Sequence, residues 1–165
     1  MEHMHAHHHH PGHGQQAPRP DSSLNRVALS ATLHCLTGCA IGEVLGMVIG
    51  TALGWSNGKT IVLAVALAFL FGYGLTMLPL LRDGLAPRKA ARLALAADTA
   101  SIAIMEIVDN LIMLAIPGAM DAGLDSALFW GSLAAALALA GAAAYPVNRW
   151  LIARGRGHAV VHARH

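Results

Sequence analysis

The sequence has few charged residues, few aromatic residues and only two cysteines. Charged side chains make up 12% of its 165 residues, against ~25% in a typical soluble domain. Apolar residues make up 55%, and a single small domain cannot hide that much apolar surface in its own core. This composition excludes an ordinary water-soluble domain and an intrinsically disordered chain.

An excess of positive charge is also missing. The formal net charge is only +2, and no basic face is long enough to follow the phosphates of a nucleic acid, so no nucleic-acid partner is expected. The sequence lacks a phosphate-binding loop, a Ser/His/Asp arrangement and a soluble catalytic domain, and so it does not point to an enzyme. The solvent that suits a mean hydropathy of +0.51 is the lipid bilayer.

Long stretches without charge predict four transmembrane helices. No charged residue interrupts 60–81 or 126–148, and each stretch is long enough to cross a hydrocarbon layer of ~30 Å at ~1.5 Å per residue. The other two apolar stretches carry the intramembrane acids Glu43, Asp98, Glu106 and Asp109. The sequence therefore predicts an all-α, four-helix transmembrane bundle. Its predicted spans are 28–54, 60–81, 91–117 and 126–150.

The distribution of basic residues predicts the orientation. Of the 11 Lys and Arg residues, only Lys59 falls in a loop on the side opposite the termini. The positive-inside rule then places both termini in the cytoplasm, and we expect a multi-pass protein of the bacterial inner (cytoplasmic) membrane. The N-terminus has no signal-peptide pattern. The expected divisions are a His-rich disordered tail at 1–25, the transmembrane domain at 26–153 and a His-containing tail at 154–165.

Two rows of residues at i, i+4 spacing follow the first span. The first row begins at His34 and continues as Gly38, Gly42, Gly46 and Gly50. Such small-residue rows allow close helix packing in membranes, and we expect this row to pack against the third helix. The second row is Cys35, Cys39, Glu43 and Met47. It places two thiols, a carboxyl group and a thioether beside the packing face.

The third span supplies partners for these groups. An ionisable side chain at bilayer depth costs ~2.5 kcal/mol or more unless it is paired or hydrated, so the acids of this span are expected to face the bundle interior. Depth can be compared by counting residues from the cytoplasmic arginine that precedes each span. This count places His34 beside Asp98, Cys39 beside Met105 and Glu106, and Glu43 beside Asp109.

A ladder of soft and hard ligands across a membrane predicts that a transition-metal cation is bound or conducted. Thiolate and thioether ligands favour Cu(I), whereas Cys combined with His and carboxylate also suits Zn(II) or Fe(II). The predicted metal ligands are Cys35, Cys39, Glu43, Met105, Glu106 and Asp109. A gate or relay is assigned to His34, Asp98 and Asn110.

Histidines are concentrated in the N-terminal tail. Interleaved Met and Ala residues favour a native metal-binding tail over a purification tag, which would be an uninterrupted run. The accessory metal ligands predicted there are His3, His5, His7, His8, His9, His10 and His13.

Two other functions stay open at this point. The protein could instead be a haem- or thiol-based redox or proton-relay subunit, or a structural partner of a larger metal-handling complex. Four helices are few for a transporter, so a homo-oligomer is a further expectation, formed through small residues of the fourth helix between Ala134 and Ala144.

The pattern His34-Cys35-x-x-Gly38-Cys39-x-x-Gly42-Glu43, with Met105-Glu106-x-x-Asp109-Asn110, resembles a family of small bacterial four-helix membrane proteins known only as a domain of unknown function. The resemblance covers the four spans, about Leu29 to Ala153, and leaves out both tails. It implies a shared four-helix fold and a shared polar face, with no established activity.

Overall fold

The computed structural model describes residues 20–154, and every regular element in that range is an α-helix. The helices are α1 (Pro20–Ala52), α2 (Asn57–Arg82), α3 (Pro87–Ala115) and α4 (Ala127–Ala153). The predicted all-α four-helix bundle is confirmed. Because α1 continues back to Pro20 through polar residues that hydropathy does not count, it begins before the predicted span. The predicted tail ligands lie outside the described residues: His3, His5, His7, His8, His9, His10 and His13.

The residues of the turns explain where the helices begin and end. Gly54 (φ 62°) and Gly84 (φ 81°) adopt the left-handed conformation that glycine enters at least cost. Pro87 opens α3, where its fixed φ suits the first helical turn. The Ser126 hydroxyl caps α4 by accepting a hydrogen bond from the backbone N–H of Leu128. Local sequence therefore sets the limits of the helices.

The glycine row of α1 packs against α2, and the expectation that it packs against α3 is wrong. A Cβ added to Gly38 would lie 2.7 Å from the Cα of Gly72, too close for any side chain. The facing pairs are Gly38–Gly72, Gly42–Ala68, Gly46–Ala64 and Gly50–Thr60. Because both rows are small, the α1 and α2 backbones come into direct contact.

The remaining contacts arrange the four helices as a bundle. α3 packs along α4, α1 also contacts α4, and α2 contacts α3. α1 and α3 meet across the diagonal of the bundle. Because α2 covers the glycine row, the neighbouring row of α1 that contains Cys35, Cys39 and Glu43 is buried toward the bundle interior.

The distribution of polar and apolar side chains is the reverse of that in a soluble protein. Large apolar side chains face outward, including Leu29, Val62, Leu70 and Leu139. The buried polar side chains are Thr32, Glu43, Thr60, Thr76, Asp98, Ser101, Glu106, Asp109, Ser132 and Asn148. Within residues 20–154, three helical segments are long and apolar enough to cross a membrane, namely Ser23–Ala52, Asn57–Arg82 and Ala127–Ala153. This surface suits lipid, because ionisable side chains within a bilayer face the protein interior and apolar side chains face the lipid.

The helix α3 is less apolar than the other three because it carries most of the buried acids. Asp98, Glu106 and Asp109 are all buried, while Ile107 and Leu111 are exposed on the outer face of the same helix. The outer face of α3 therefore presents large apolar side chains, as the other helices do, although its overall composition differs.

The small residues of α4 fall on two sides. Ala136, Ala140 and Ala144 are buried in the core. The exposed members of the segment expected to form an oligomer contact are Ala134, Ala135, Ala138 and Ala142. These four are the small residues of the segment most accessible to a second copy of the chain, and Ala143 is partly exposed.

Candidate functional site

A file of acids, thiols and one thioether runs between α1 and α3. Spacing of four residues puts its α1 members on one helical face, and its α3 members lie on the buried face of that helix. We call the set the cross-helix file: Cys35, Cys39, Glu43, Asp98, Met105, Glu106 and Asp109. Each of these side chains is at most 4% exposed. The fold therefore encloses the file completely.

At the end of the file nearest the start of α1, a thiol lies beside a carboxylate. The Sγ of Cys35 donates to Oδ1 of Asp98 at 3.7 Å. Ser101 and Thr76 also lie close enough to interact with this pair, Ser101 with Cys35 and Thr76 with Asp98. His34, the neighbour of Cys35 in the sequence, is half-buried. This level thus gathers polar groups from α1, α2 and α3.

A polar clamp from α4, which the sequence analysis missed, lies next to this level. The side-chain amide of Asn148 donates to Oγ1 of Thr32 at 2.9 Å and to Oγ of Ser101 at 3.0 Å. All three side chains are buried. Asn148 is the only Asn in the apolar stretch predicted as the fourth span, and a lone amide at bilayer depth is a signal for an interhelical hydrogen bond.

The middle level of the file is rich in sulfur. The Sγ of Cys39 lies 4.0 Å from Sδ of Met105. Cys39 also lies within interaction distance of Glu106 and, more weakly, of Glu43 and Cys35. Neither cysteine forms a disulfide. A thiol, a thioether and a carboxyl group therefore meet at this depth.

At the opposite end of the file, which we call its outer end, two carboxyl groups lie together. Glu43 on α1 and Asp109 on α3 interact directly, and Glu106 is a further neighbour of Glu43. No hydrogen-bond donor among residues 20–154 satisfies either oxygen of Glu43 or of Glu106, or Oδ1 of Asp109. The amide of Asn110 does not serve them, since its Nδ2 donates to the backbone carbonyl of Glu106 at 2.9 Å. These are costly groups to bury without a partner.

The file covers a large part of the membrane depth. At ~1.5 Å per residue, it extends ~12 Å from Cys35 to Glu43 on α1 and ~16 Å from Asp98 to Asp109 on α3. A hydrocarbon layer is ~30 Å thick. The file thus extends over about half of that distance.

The file does not form a ready-made metal centre. Among residues 20–154, no three His, Cys, Asp or Glu side chains converge closely enough to hold a metal ion. Its members meet instead in pairs, such as Cys35 with Asp98 and Glu43 with Asp109.

A comparison with protein families identifies the segment that contains the file. The model of a domain of unknown function, DUF4396, matches residues 24–157. The chain belongs to the DUF4396 family. Neither a curated protein nor a solved structure gives a significant match to the chain.

The DUF4396 match includes all four helices apart from the first residues of α1. It therefore contains every residue of the cross-helix file and the clamp residue Asn148. The predicted histidine ligands of the N-terminal tail lie outside the matched segment. Membership of the DUF4396 family assigns no activity to the file.

Proposed function

We propose that this DUF4396 protein is a multi-pass protein of the bacterial cytoplasmic membrane that binds and conducts a transition-metal cation along the cross-helix file. The cation would be of the Cu, Zn or Fe class. The observation that carries the proposal is that ligand-type side chains of α1 face those of α3 at three successive depths. Thiols, thioethers and carboxylates are the groups with which proteins bind such metals.

The unsatisfied carboxyl oxygens support a cation as the missing partner. Glu43 and Glu106 each bury two oxygens that accept no hydrogen bond from residues 20–154. Burying such groups without compensation costs several kcal/mol, about 2.5 or more on insertion scales. A cation that moves along the file would supply the charge and the coordination that these side chains lack.

The pairwise arrangement of the ligands favours passage over storage. Tight structural metal sites use three or four converging ligands, and no such group of His, Cys, Asp and Glu exists in residues 20–154. Conduction requires sites that bind strongly enough to admit an ion and weakly enough to release it. A file of paired ligands meets that requirement.

The orientation rests on the charged residues at the two ends of the bundle. Arg82, Arg88, Lys89 and Arg92 are all exposed in or beside the α2–α3 turn. That turn lies at the same end of the antiparallel bundle as the start of α1 and the end of α4. The positive-inside rule assigns this end to the cytoplasm. Asp98 and Cys35 would then form the cytoplasmic entrance of the file.

A proton relay is the second candidate function. Each level of the file contains a carboxyl group, and the pairs Cys35–Asp98 and Glu43–Asp109 bring two groups that can exchange protons into contact. Chains of carboxyl groups inside membranes carry protons in pumps and transporters. The two candidates differ in one measurable respect, since a proton relay functions without bound metal.

Metal binding by the purified protein tests the proposal. We expect full-length protein in which all tail histidines are replaced by alanine to retain Cu, Zn or Fe at measurable stoichiometry. The double variant C39A/E106Q should lower the affinity ~10-fold or more, because it removes two ligands of the middle level. Elemental analysis after desalting, followed by titration with each metal, measures both quantities.

A matched control separates ligation from folding. Thr37 is exposed on α1, and its hydroxyl bonds only to the Leu33 carbonyl of its own helix. The variant T37A should therefore bind metal like the parent. If the parent without tail histidines binds none of the three metals, or if C39A/E106Q binds like T37A, metal binding by the file is wrong.

A further inference from the structure

A small cavity lies at the outer end of the file. It has a volume of about 20 Å³, enough for one water molecule or one dehydrated ion. Its polar lining is Glu43, Asp109 and Asn110, and three methionines also line it, namely Met47, Met113 and Met120. The rest of the lining is apolar: Ile61, Ala64, Phe129 and Leu133. The cavity therefore combines carboxyl, amide and thioether groups with an apolar wall.

The two carboxyl groups in this cavity contact each other, and no basic side chain lines the cavity. Glu43 and Asp109 are 4% and 3% exposed. Both oxygens of Glu43 and Oδ1 of Asp109 accept no hydrogen bond from residues 20–154. No Lys, Arg or His is among the described residues that line the cavity. Two adjacent carboxyl groups in a medium of low dielectric repel each other when both are charged. A cation between them would offset that repulsion.

The methionines give this cavity a chemical preference. A methionine in a core is often only a flexible filler of irregular space. Here, however, three of the 7 methionines in the chain line one cavity of water size. They come from different segments, since Met47 belongs to α1, Met113 to α3 and Met120 to the α3–α4 connection. Thioethers from three segments of the chain, beside the Glu43–Asp109 carboxyl pair, form a soft ligand set with acidic groups nearby.

We propose that this cavity binds a soft monovalent cation of the Cu(I) class through the thioethers of Met47, Met113 and Met120. Glu43 and Asp109 would supply the countercharge. Thioether ligands select Cu(I) over Zn(II) and other harder divalent cations, which prefer nitrogen, oxygen or thiolate ligands. The inference deepens the proposed function, because it names the cation that the outer end of the file accepts.

Silver(I) is a suitable probe, because it is a soft monovalent cation that resists redox change. The background is full-length C35A/C39A protein with the tail histidines replaced by alanine, since thiols and imidazoles would compete for the probe. We expect this protein to bind silver(I), and M47L/M113L/M120L in the same background to bind it ~10-fold or more weakly. Met-to-Leu changes nearly conserve volume and disturb folding little.

The control variant is M77L, because Met77 lies on α2 and does not line the cavity. It should bind silver(I) like the background, and an excess of Zn(II) should not displace the silver. X-ray absorption at the silver edge should show sulfur neighbours that disappear in M47L/M113L/M120L. The inference is overturned if the triple variant binds silver(I) like M77L, or if Zn(II) displaces it.

The same variants distinguish failure of this inference from failure of the proposed function. If C39A/E106Q loses metal while M47L/M113L/M120L binds silver(I) like M77L, the file stands and the selective cavity is wrong. If the triple variant loses silver(I) while C39A/E106Q binds Cu, Zn and Fe like the parent, the cavity stands and the file is wrong.

Discussion

The substitution G42L is expected to prevent the bundle from forming. A Cβ on Gly42 would collide with the backbone of Ala68 on α2, so the two helices would have to separate along their whole contact. Overpacking usually costs ~1–3 kcal/mol when side chains can yield. Here the obstacle is backbone, which cannot move aside as a side chain can. We therefore expect the free energy of unfolding to fall by about 3 kcal/mol or more, the upper limit of that range. Gel filtration in mild detergent and the thermal midpoint measure the effect.

The control for G42L is a Gly-to-Leu change on the exposed face of α2. Gly74 is exposed, and a Cβ built there meets no atom within 4 Å. The variant G74L should be monodisperse and as stable as the parent, since leucine also favours helix over glycine. Equal stability of G42L and G74L would show that the α1–α2 contact described here is wrong.

A second large effect is expected for I107D on the outer face of α3. Ile107 is 60% exposed, which would make aspartate harmless in a soluble protein. If α3 crosses the membrane, the new carboxyl group faces lipid and costs about 2.5–3.5 kcal/mol. We therefore expect the amount of folded protein recovered from the membrane fraction to fall by at least roughly 10-fold, the change that 1.4 kcal/mol produces.

This prediction has a closely matched comparison at the end of the bundle. Leu53 is 59% exposed and lies directly after the last residue of α1. The variant L53D should be recovered in parental amounts, because a carboxyl group there reaches the interfacial water. If I107D and L53D behave alike, the outer face of α3 does not contact lipid.

The fold was predictable because the signals for it are local and strong. Gaps between charged residues located all four helices, and Pro87 and the glycines of the turns explain their ends. The start of α1 at Pro20 was not predicted, because hydropathy reports the apolar part of a helix and does not detect its polar extension.

The partner of the glycine row was predicted wrongly, since a row of small residues indicates close packing without naming the neighbour. A second signal was available in α2. Its residues Thr60, Ala64, Ala68, Gly72 and Thr76 repeat every four positions and form the matching small face. Two small rows on consecutive helices joined by a short turn favour each other as partners.

The sequence predicted that the site residues of α1 and α3 lie near one another, and it predicted their individual contacts only in part. Counting from the cytoplasmic arginines placed His34 at the depth of Asp98, and the adjacent Cys35 is the residue whose thiol lies 3.7 Å from that carboxylate. Depth counting does not give the direction of a side chain, because one position along a helix turns it by about 100°. Asn148 contacts Thr32 and Ser101 across the bundle, and no periodicity within α4 specifies those partners.

Metal flux into proteoliposomes tests the central claim most directly. Full-length protein is reconstituted into vesicles that contain a metal-sensitive fluorophore, and Cu(I), Zn(II) and Fe(II) are added outside in turn. We expect at least one of these ions to enter faster than into empty vesicles, and C39A/E106Q to reduce that rate ~10-fold or more while T37A does not. Rates equal to those of empty vesicles for all three ions, or equal rates for C39A/E106Q and T37A, would contradict conduction along the cross-helix file.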